Sequence, residues 1–396
     1  MKQRSKKRRL NLIFASFYYL LLLGLHILAI PLLLLFALKK KYKISIPARF
    51  FLFKNPPLKE NGVWFHTCSF GEARAIKPLL KYFKNSEIRL TTTTQTGFRE
   101  IQKYSLESKF LPFETLLPFW IKKEKVLIVL EAELWFMLFF LAKKRKTYTI
   151  LLNARISTKS FPKYKKFKWF YKKIFENIDK VYAQSLEDKK RLSILGAKNI
   201  EVLGNIKLLE LPKPTKNYKK PPNSLIIVAG STHKNEEELI LESFLEFKKV
   251  YKDAKLLIVP RHPERFEEVW KIIQKSKLSS SKLSENISLE TEIILVNTLG
   301  ELINFYKIAD IVILGGSFYP IGGHNFAEAA QFGVKIISGE YIFNQRDILN
   351  SIDGVKIIKK DQLTKTLLNF KSIPKSSIKN KKIKIEKFLD EVRKHL

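Results

Sequence analysis

A short apolar run that stops at glycine and gives way to a helix restricts the fold of this chain more than any other feature, and it recurs along the sequence. Its clearest instance is Ile311-Val312-Ile313-Leu314 followed by GGSFYPIGGHNFAEAA, residues 315–330. Four consecutive branched residues read as a strand buried on both faces, as in a parallel sheet. The helix that follows begins near Phe326. Glycines let a loop approach a ligand closely, and a helix start presents unpaired N–H groups to an anion. Asn325 and Glu328, three apart, share one helix face, where an amide and a carboxylate suit a ribose and a phosphate. The same strand–turn–helix order is expected at 63–68 (VWFHTC), 87–94 (EIRLTTTT), 126–130, 148–152, 181–184 and 200–203. It resumes at 224–228, 254–259, 293–296 and 334–337. Strands alternating with helices predict two doubly wound α/β domains. The proline- and lysine-rich stretch 208–223, LLELPKPTKNYKKPPN, reads as the linker between them. Ligands then belong in a cleft between the domains, at the C-terminal ends of the strands.

Ahead of these domains lies a segment that water does not favour. Residues 1–9 are basic, and Leu10–Leu38 carries no formal charge when His26 is neutral, which exceeds the roughly 20 residues needed to span a bilayer. Its length and the lack of a small-residue cleavage site set it apart from a signal peptide. Basic residues flank both ends, so charge does not fix its orientation, and Pro31 allows a kink or tilt. The chain of 396 residues carries 73 Lys+Arg against 37 Asp+Glu, a formal charge of +36, which favours polyanions, anionic membrane surfaces or phosphorylated substrates. The one cysteine, Cys68, excludes internal disulfides and Cys-cluster metal sites. Neither GxGxxG nor GxxxxGK[ST] occurs, which weakens dehydrogenase and NTPase readings. His233, His262 and His324 are too far apart in sequence to form a recognisable metal-binding pattern. Two apolar stretches, 110–120 and 134–142, are expected to be core or a patch against lipid. Residues 161–180, where aromatics alternate with lysines, are expected to form an amphipathic or core-packing helix.

Candidate chemistry clusters just after the strands. Glu72 follows a strand and Gly71 near a helix start, where the positive helix end keeps a carboxylate ionised and suits a general base. Glu131 and Glu133 have the same parity if their strand continues, a pairing reminiscent of glycosidases, but the basic surroundings favour anionic substrates. Lys207 and Arg261 can neutralise a phosphate or carboxylate.

Taken in order, SFGEARAIKPLL (69–80), TTTTQTG (91–97), EAELW (131–135), LLNARIS (151–157), GNIK (204–207), AGSTHKNEEE (229–238), PRHPERF (260–266), GELINFYKIAD (300–310) and residues 315–330 resemble the bacterial 3-deoxy-D-manno-octulosonic acid (Kdo) transferases. The resemblance covers about residues 60–350. It implies an inverting GT-B glycosyltransferase, with two Rossmann-like domains and a cleft between them, moving Kdo from CMP-Kdo to a lipid A precursor. It implies no metal or other cofactor. By the family pattern Glu72 is the proton acceptor, and Glu131 and Lys207 stabilise the transition state. Pro260, Arg261, Leu299, Gly300, Glu301, Asn325, Phe326, Ala327 and Glu328 bind CMP. Further donor contacts are expected from Ser231, His262, Gly323 and His324, and acceptor-side contacts from Ser69, Gly71, Thr94 and Arg155. Phe70, Ala132 and Phe136 depart from the residues usual at those places, which bears on acceptor detail. The expected organisation is a basic tail and anchor (1–43), an acceptor-binding domain (44–207), the linker (208–223), a CMP-Kdo-binding domain (224–375) and a C-terminal helix (376–396). The expected location is the bacterial inner membrane, with the catalytic domains cytoplasmic and the basic surface against anionic lipid. Two rivals are a GT-B transferase using a UDP-sugar on a lipid-linked acceptor, and a membrane-tethered polyanion-binding protein. No nucleic-acid-binding motif supports the latter.

Overall fold

The computed structural model describes residues 2–285, 288–343, 345–379 and 385–396. The chain divides into two compact units, one running to Leu209 and including the C-terminal helix, the other beginning at Glu210. The first contains strands β1 (Val63–Thr67), β2 (Ile88–Thr92), β3 (Ser108–Phe110), β4 (Val126–Leu130), β5 (Tyr148–Ala154), β6 (Lys180–Ala183) and β7 (Ile200–Val202). They form a parallel sheet in the order β3-β2-β1-β4-β5-β6-β7. Every residue of β1, β2 and β4 is buried, as a sheet covered on both faces requires.

The second unit contains β8 (Leu225–Thr232), β9 (Ala254–Pro260), β10 (Ser280–Lys282), β11 (Ile293–Leu295), β12 (Ile311–Leu314), β13 (Lys335–Gly339), β14 (Ile352–Asp353), β15 (Val355–Ile358) and β16 (Ser377–Ile378). Its seven-stranded parallel sheet has the order β10-β11-β9-β8-β12-β13-β15, while β14 and β16 pair antiparallel. In each sheet the winding reverses once, between β1 and β4 in the first unit and between β8 and β12 in the second. At such a switch point the following loops diverge and leave a crevice at the carboxyl ends of the strands.

The apolar N-terminal helix α1 (Lys2–Ala37) includes a 28-residue segment, Leu10–Ala37, long and apolar enough to cross a membrane. One side of it docks on the first unit. Phe14 and Tyr18 pack edge-on against Phe136, at 5.0 and 5.1 Å between ring centroids. The Tyr18 hydroxyl donates to Glu114 at 2.8 Å, Tyr19 to the Thr115 carbonyl at 3.1 Å, and His26 Nδ1 lies 2.6 Å from Thr115 Oγ1. Its other side leaves Ile13, Phe17, Leu20, Leu28 and Leu35 exposed.

Both interior apolar stretches join the core, since Leu117, Trp120, Phe136, Leu138 and Phe139 are buried; Phe119 alone of the first stands mostly in the open. The aromatic–lysine stretch is two short helices, Phe161–Lys166 and Lys168–Phe175, rather than one. Residues 210–220 lie along the second unit: Thr215 N–H bonds to the Asn304 side chain at 2.8 Å and Tyr218 stacks on Phe305 at 4.4 Å. The C-terminal helix Ile385–Arg393 buries Phe388, Leu389 and Val392 in the core of the first unit, and Glu391 accepts a hydrogen bond from Tyr148.

Candidate active site

The turn after β1 is built to hold one carboxylate. Ser69 caps the helix Phe70–Leu80 and its Oγ accepts the Glu72 N–H at 3.3 Å. The Glu72 carboxylate reaches back, taking the Cys68 N–H at 2.8 Å and the Ser69 hydroxyl at 3.1 Å. This is the reciprocal S-x-x-E cap, which satisfies two helix-end donors at once. Three threonine hydroxyls of the next strand end, Thr92, Thr93 and Thr94, converge on the Cys68 carbonyl at 3.0, 3.4 and 2.7 Å and brace the turn. Ser69 and Thr94, expected on the acceptor side, thus have hydroxyls engaged within the protein. Gly71 is exposed and a Cβ there would meet only Ser69 Oγ, at 3.9 Å.

On the other side of the switch point, β4 ends at Leu130 and Glu131 follows in left-handed backbone with φ of 54°. The strand does not continue, so the parity expected of Glu131 and Glu133 does not apply. The left-handed step turns the Glu131 carboxylate onto two cations, Lys207 Nζ at 2.5 Å and Arg155 Nε at 3.0 Å. Lys207 itself is fixed from behind. Asn205 caps the short helix Ile206–Leu208 by accepting the Lys207 N–H at 3.1 Å, and Asn153, at the end of β5, accepts the Ile206 N–H at 3.1 Å. Glu133 instead accepts the Trp135 indole N–H at 2.7 Å and lies 4.0 Å from the buried imidazole of His66, whose Nε2 has no hydrogen-bond partner.

These surroundings drive the two carboxylates apart. Burial, then the negative charge of Glu131, pushes Glu72 up to about 7, with the Cys68 N–H and Lys207 opposing. Burial also acts on Glu131, but Lys207 and Arg155 more than reverse it and hold that carboxylate below its usual range. One group is therefore poised to exchange a proton at neutral pH while its neighbour stays ionised, the pattern of a matched acid–base pair.

In the second unit, Pro260 ends β9 and the Arg261 N–H bonds to the Thr232 carbonyl at 3.0 Å, leaving the guanidinium exposed. Ser231 sits in left-handed backbone (φ 56°) at a register shift in β8. Leu299 is exposed, Gly300 turns with φ of 84°, and the Glu301 carboxylate is engaged by Lys216, Tyr218 and Asn304. Glu301 was expected among the CMP-binding residues; its carboxylate is occupied by the strap 210–220. Asn325 caps the helix Phe326–Ala330, accepting the Ala327 N–H at 3.0 Å and donating to Glu328 at 3.2 Å. Phe326 and Ala327 are fully buried, so their side chains serve packing. Gly323 holds φ of 79°.

Two features here were not legible in the sequence. The N–H groups of Gly316, Ser317 and Phe318, at the glycine loop after β12, do not stand open to an external anion. They donate to the fully buried Glu236 carboxylate at 2.7, 3.0 and 3.0 Å, which also takes the His233 N–H at 3.0 Å. And His233, 91 residues from His324 in the chain, places its Nε2 3.0 Å from the His324 Nε2, with His262 beside it. Among the described residues no three His, Cys, Asp or Glu side chains converge as a metal site would require.

Residues 45–209 match the family model of 3-deoxy-D-manno-octulosonic-acid transferase (kdotransferase). The chain is 33% identical over 352 residues to a bifunctional glycosyltransferase/methyltransferase of Fusobacterium nucleatum, and spans 81% of itself but only 53% of that longer relative. To the 3-deoxy-D-manno-octulosonic acid transferase of Aquifex aeolicus it is 31% identical over 367 residues, covering 89% of this chain and 96% of the relative. In fold it is similar to a crystal structure of UDP-GlcNAc 2-epimerase from Neisseria meningitidis bound to UDP-GlcNAc, with a TM-score of 0.50 at 11% identity over 85% of this chain and 100% of that one.

Proposed function

Because this chain belongs to the 3-deoxy-D-manno-octulosonic acid transferase family and is a glycosyltransferase of GT-B type, we propose that it transfers Kdo from CMP-Kdo to a lipid A precursor with inversion at the anomeric carbon. The observation that carries the chemistry is the split pair: Glu72 poised near neutrality, and Glu131 held ionised by Lys207 and Arg155. Glu72 takes the proton from an acceptor hydroxyl as its oxygen forms a bond to the anomeric carbon. The bond from that carbon to the CMP phosphate oxygen breaks, and CMP leaves with the electron pair. Desolvation that raises the Glu72 basicity makes it an effective proton acceptor at neutral pH. Lys207 and Arg155 supply positive charge beside the reacting groups, and Glu131 fixes where that charge stands.

The first unit receives the acceptor and the second the donor. Arg261, whose side chain is exposed, suits the donor phosphate or carboxylate, and Asn325 with Glu328 suits the ribose. The apolar face of α1 supports attachment to a membrane, which we assign to the bacterial inner membrane with the catalytic units cytoplasmic. Full-length protein in detergent, given CMP-Kdo and a tetraacyl lipid A precursor, is expected to yield adducts of one or more Kdo units by mass spectrometry. A folded Glu72→Ala protein is expected to yield none. Equal product from both removes Glu72 as the base; product from a UDP-sugar and none from CMP-Kdo replaces the reading with the UDP-dependent rival.

A further inference from the structure

Three imidazoles meet at the carboxyl end of the second sheet, and their positions join two segments that the donor reading uses separately. His262 directly follows Pro260-Arg261, and His324 directly precedes Asn325–Glu328. His233 stands with both: its ring centroid is 5.3 Å from that of His262 and 5.2 Å from that of His324, lying nearly parallel to the latter at 14°. The Nε2 atoms of His233 and His324 approach to 3.0 Å. Two lone pairs cannot face each other at that distance, so one ring donates its Nε2–H to the other. The contact is held from outside. Glu236 clamps the His233 N–H and the Gly316 N–H to one carboxylate, and Gly316, with φ of 67°, runs so close that a Cβ would sit 3.0 Å from His324 Cδ2 and 3.5 Å from His233 Cδ2.

We infer that His233 and His324 form a proton-sharing pair that takes up one proton when the phosphate of the donor nucleotide binds between Pro260–His262 and His324–Glu328. The inference rests on the donor site proposed above. In the neutral pair the extra proton has one place to go, the Nδ1 of the donating ring, and its addition leaves the Nε2–H···Nε2 bond intact. The groups facing the pair disfavour it. Arg261 and His262 come from the β9 turn and Arg265 from the short helix behind it; Glu236 is the carboxylate on the His233 side, and Glu237 and Glu268 are spent on Arg265. Burial, reinforced by this positive company, lowers His233 to about 4 and His324 to about 3, so both rings are neutral at pH 7. A phosphate brought against Arg261 reverses the local potential. It favours the imidazolium, and the charged pair becomes a further donor-side cation that Arg261 alone does not supply.

The test is calorimetry of CMP binding to the full-length protein in detergent at pH 7.5, in two buffers of different ionisation enthalpy. At that pH the CMP phosphate, with a second pKa of about 6, is already a dianion. Wild type is expected to take up a measurable fraction of a proton per CMP, and its affinity to fall as pH rises, by up to about tenfold per unit, the limit for one proton. His324→Gln and His233→Gln are each expected to bind CMP more weakly, without that uptake and with a flatter pH dependence. CMP binding with the same proton uptake in wild type and both variants overturns the pair while leaving the donor site in place. No CMP binding to folded wild type overturns the donor site and the pair together.

Discussion

Glu72, the proposed base, shows how the demands of a reaction and of a stable fold compete at one position. Its carboxylate is buried beside Glu131, yet it carries the reciprocal cap of its own helix. A carboxyl whose folded value is raised to about 7 from an ordinary 4.5 costs stability once it ionises. The cost is absent below the unfolded value, grows between the two, and is complete above the folded one. Glu72→Gln keeps an oxygen for the Cys68 N–H and removes the charge. It is expected to be more stable than wild type at pH 8 by on the order of 1–3 kcal/mol and no more stable near pH 4, by thermal denaturation at both values. Equal melting temperatures at pH 8 would show that the carboxylate is not strained. Glu72 was legible in the sequence because it follows a strand and Gly71 at a helix start, whereas the S-x-x-E cap it completes came only with the structure. Glu131 was legible as a residue but not in its geometry, since the left-handed step that aims it at Lys207 and Arg155 cannot be read from EAELW.

At the scale of elements, the strands were the most readable part of the chain. Parallel strands covered on both faces are continuous apolar runs, and VLIVL or IVIL has few other uses. Short peripheral strands such as β3, β10 and β14 were missed because SKF, SSK and ID carry no such signal. The glycine loop after β12 was recognised, but its occupant was not, because Glu236 lies 80 residues upstream of Gly316 and only the fold joins them. The same distance argument covers the His233–His324 contact. Glycines at these turns differ in what they permit. A Cβ on Gly315 would fall 2.4 Å from the Ser231 carbonyl oxygen and 2.7 Å from Thr232 Cα, both backbone atoms that cannot rotate away. Gly315→Ala is therefore expected to destabilise the second unit by roughly 3 kcal/mol. Gly71→Ala, inside a helix with open space around it, is expected to stabilise by roughly 0.5–1 kcal/mol. Chemical denaturation of both variants checks the contrast, and equal costs would contradict it.

For the whole molecule, the membrane attachment proposed above would draw on charge and on the apolar face of α1 by different physics. The net charge of +36 would attract anionic lipid in a way that salt screens, whereas inserting the exposed leucines of α1 would bury apolar surface, a contribution that does not respond to salt in that way. Sedimentation with anionic vesicles is expected to show binding that weakens but persists from 0.05 to about 0.5 M salt. Replacing Phe17, Leu20 and Leu28 with serine is expected to leave only the salt-sensitive part; loss of all binding at high salt in wild type would contradict a membrane role for α1. The central claim, that Glu72 is the base and that the Glu131 charge adds to burial in raising its proton affinity, is tested most directly by the pH dependence of Kdo transfer at saturating donor, wild type against Glu131→Gln. In wild type kcat/KM for the acceptor should rise with pH as Glu72 loses its proton. Removing the Glu131 charge frees Lys207 and Arg155 and ends the repulsion, so the rising limb should move to lower pH by roughly one unit while the plateau falls. A limb that stays in place, or moves to higher pH, would contradict the account.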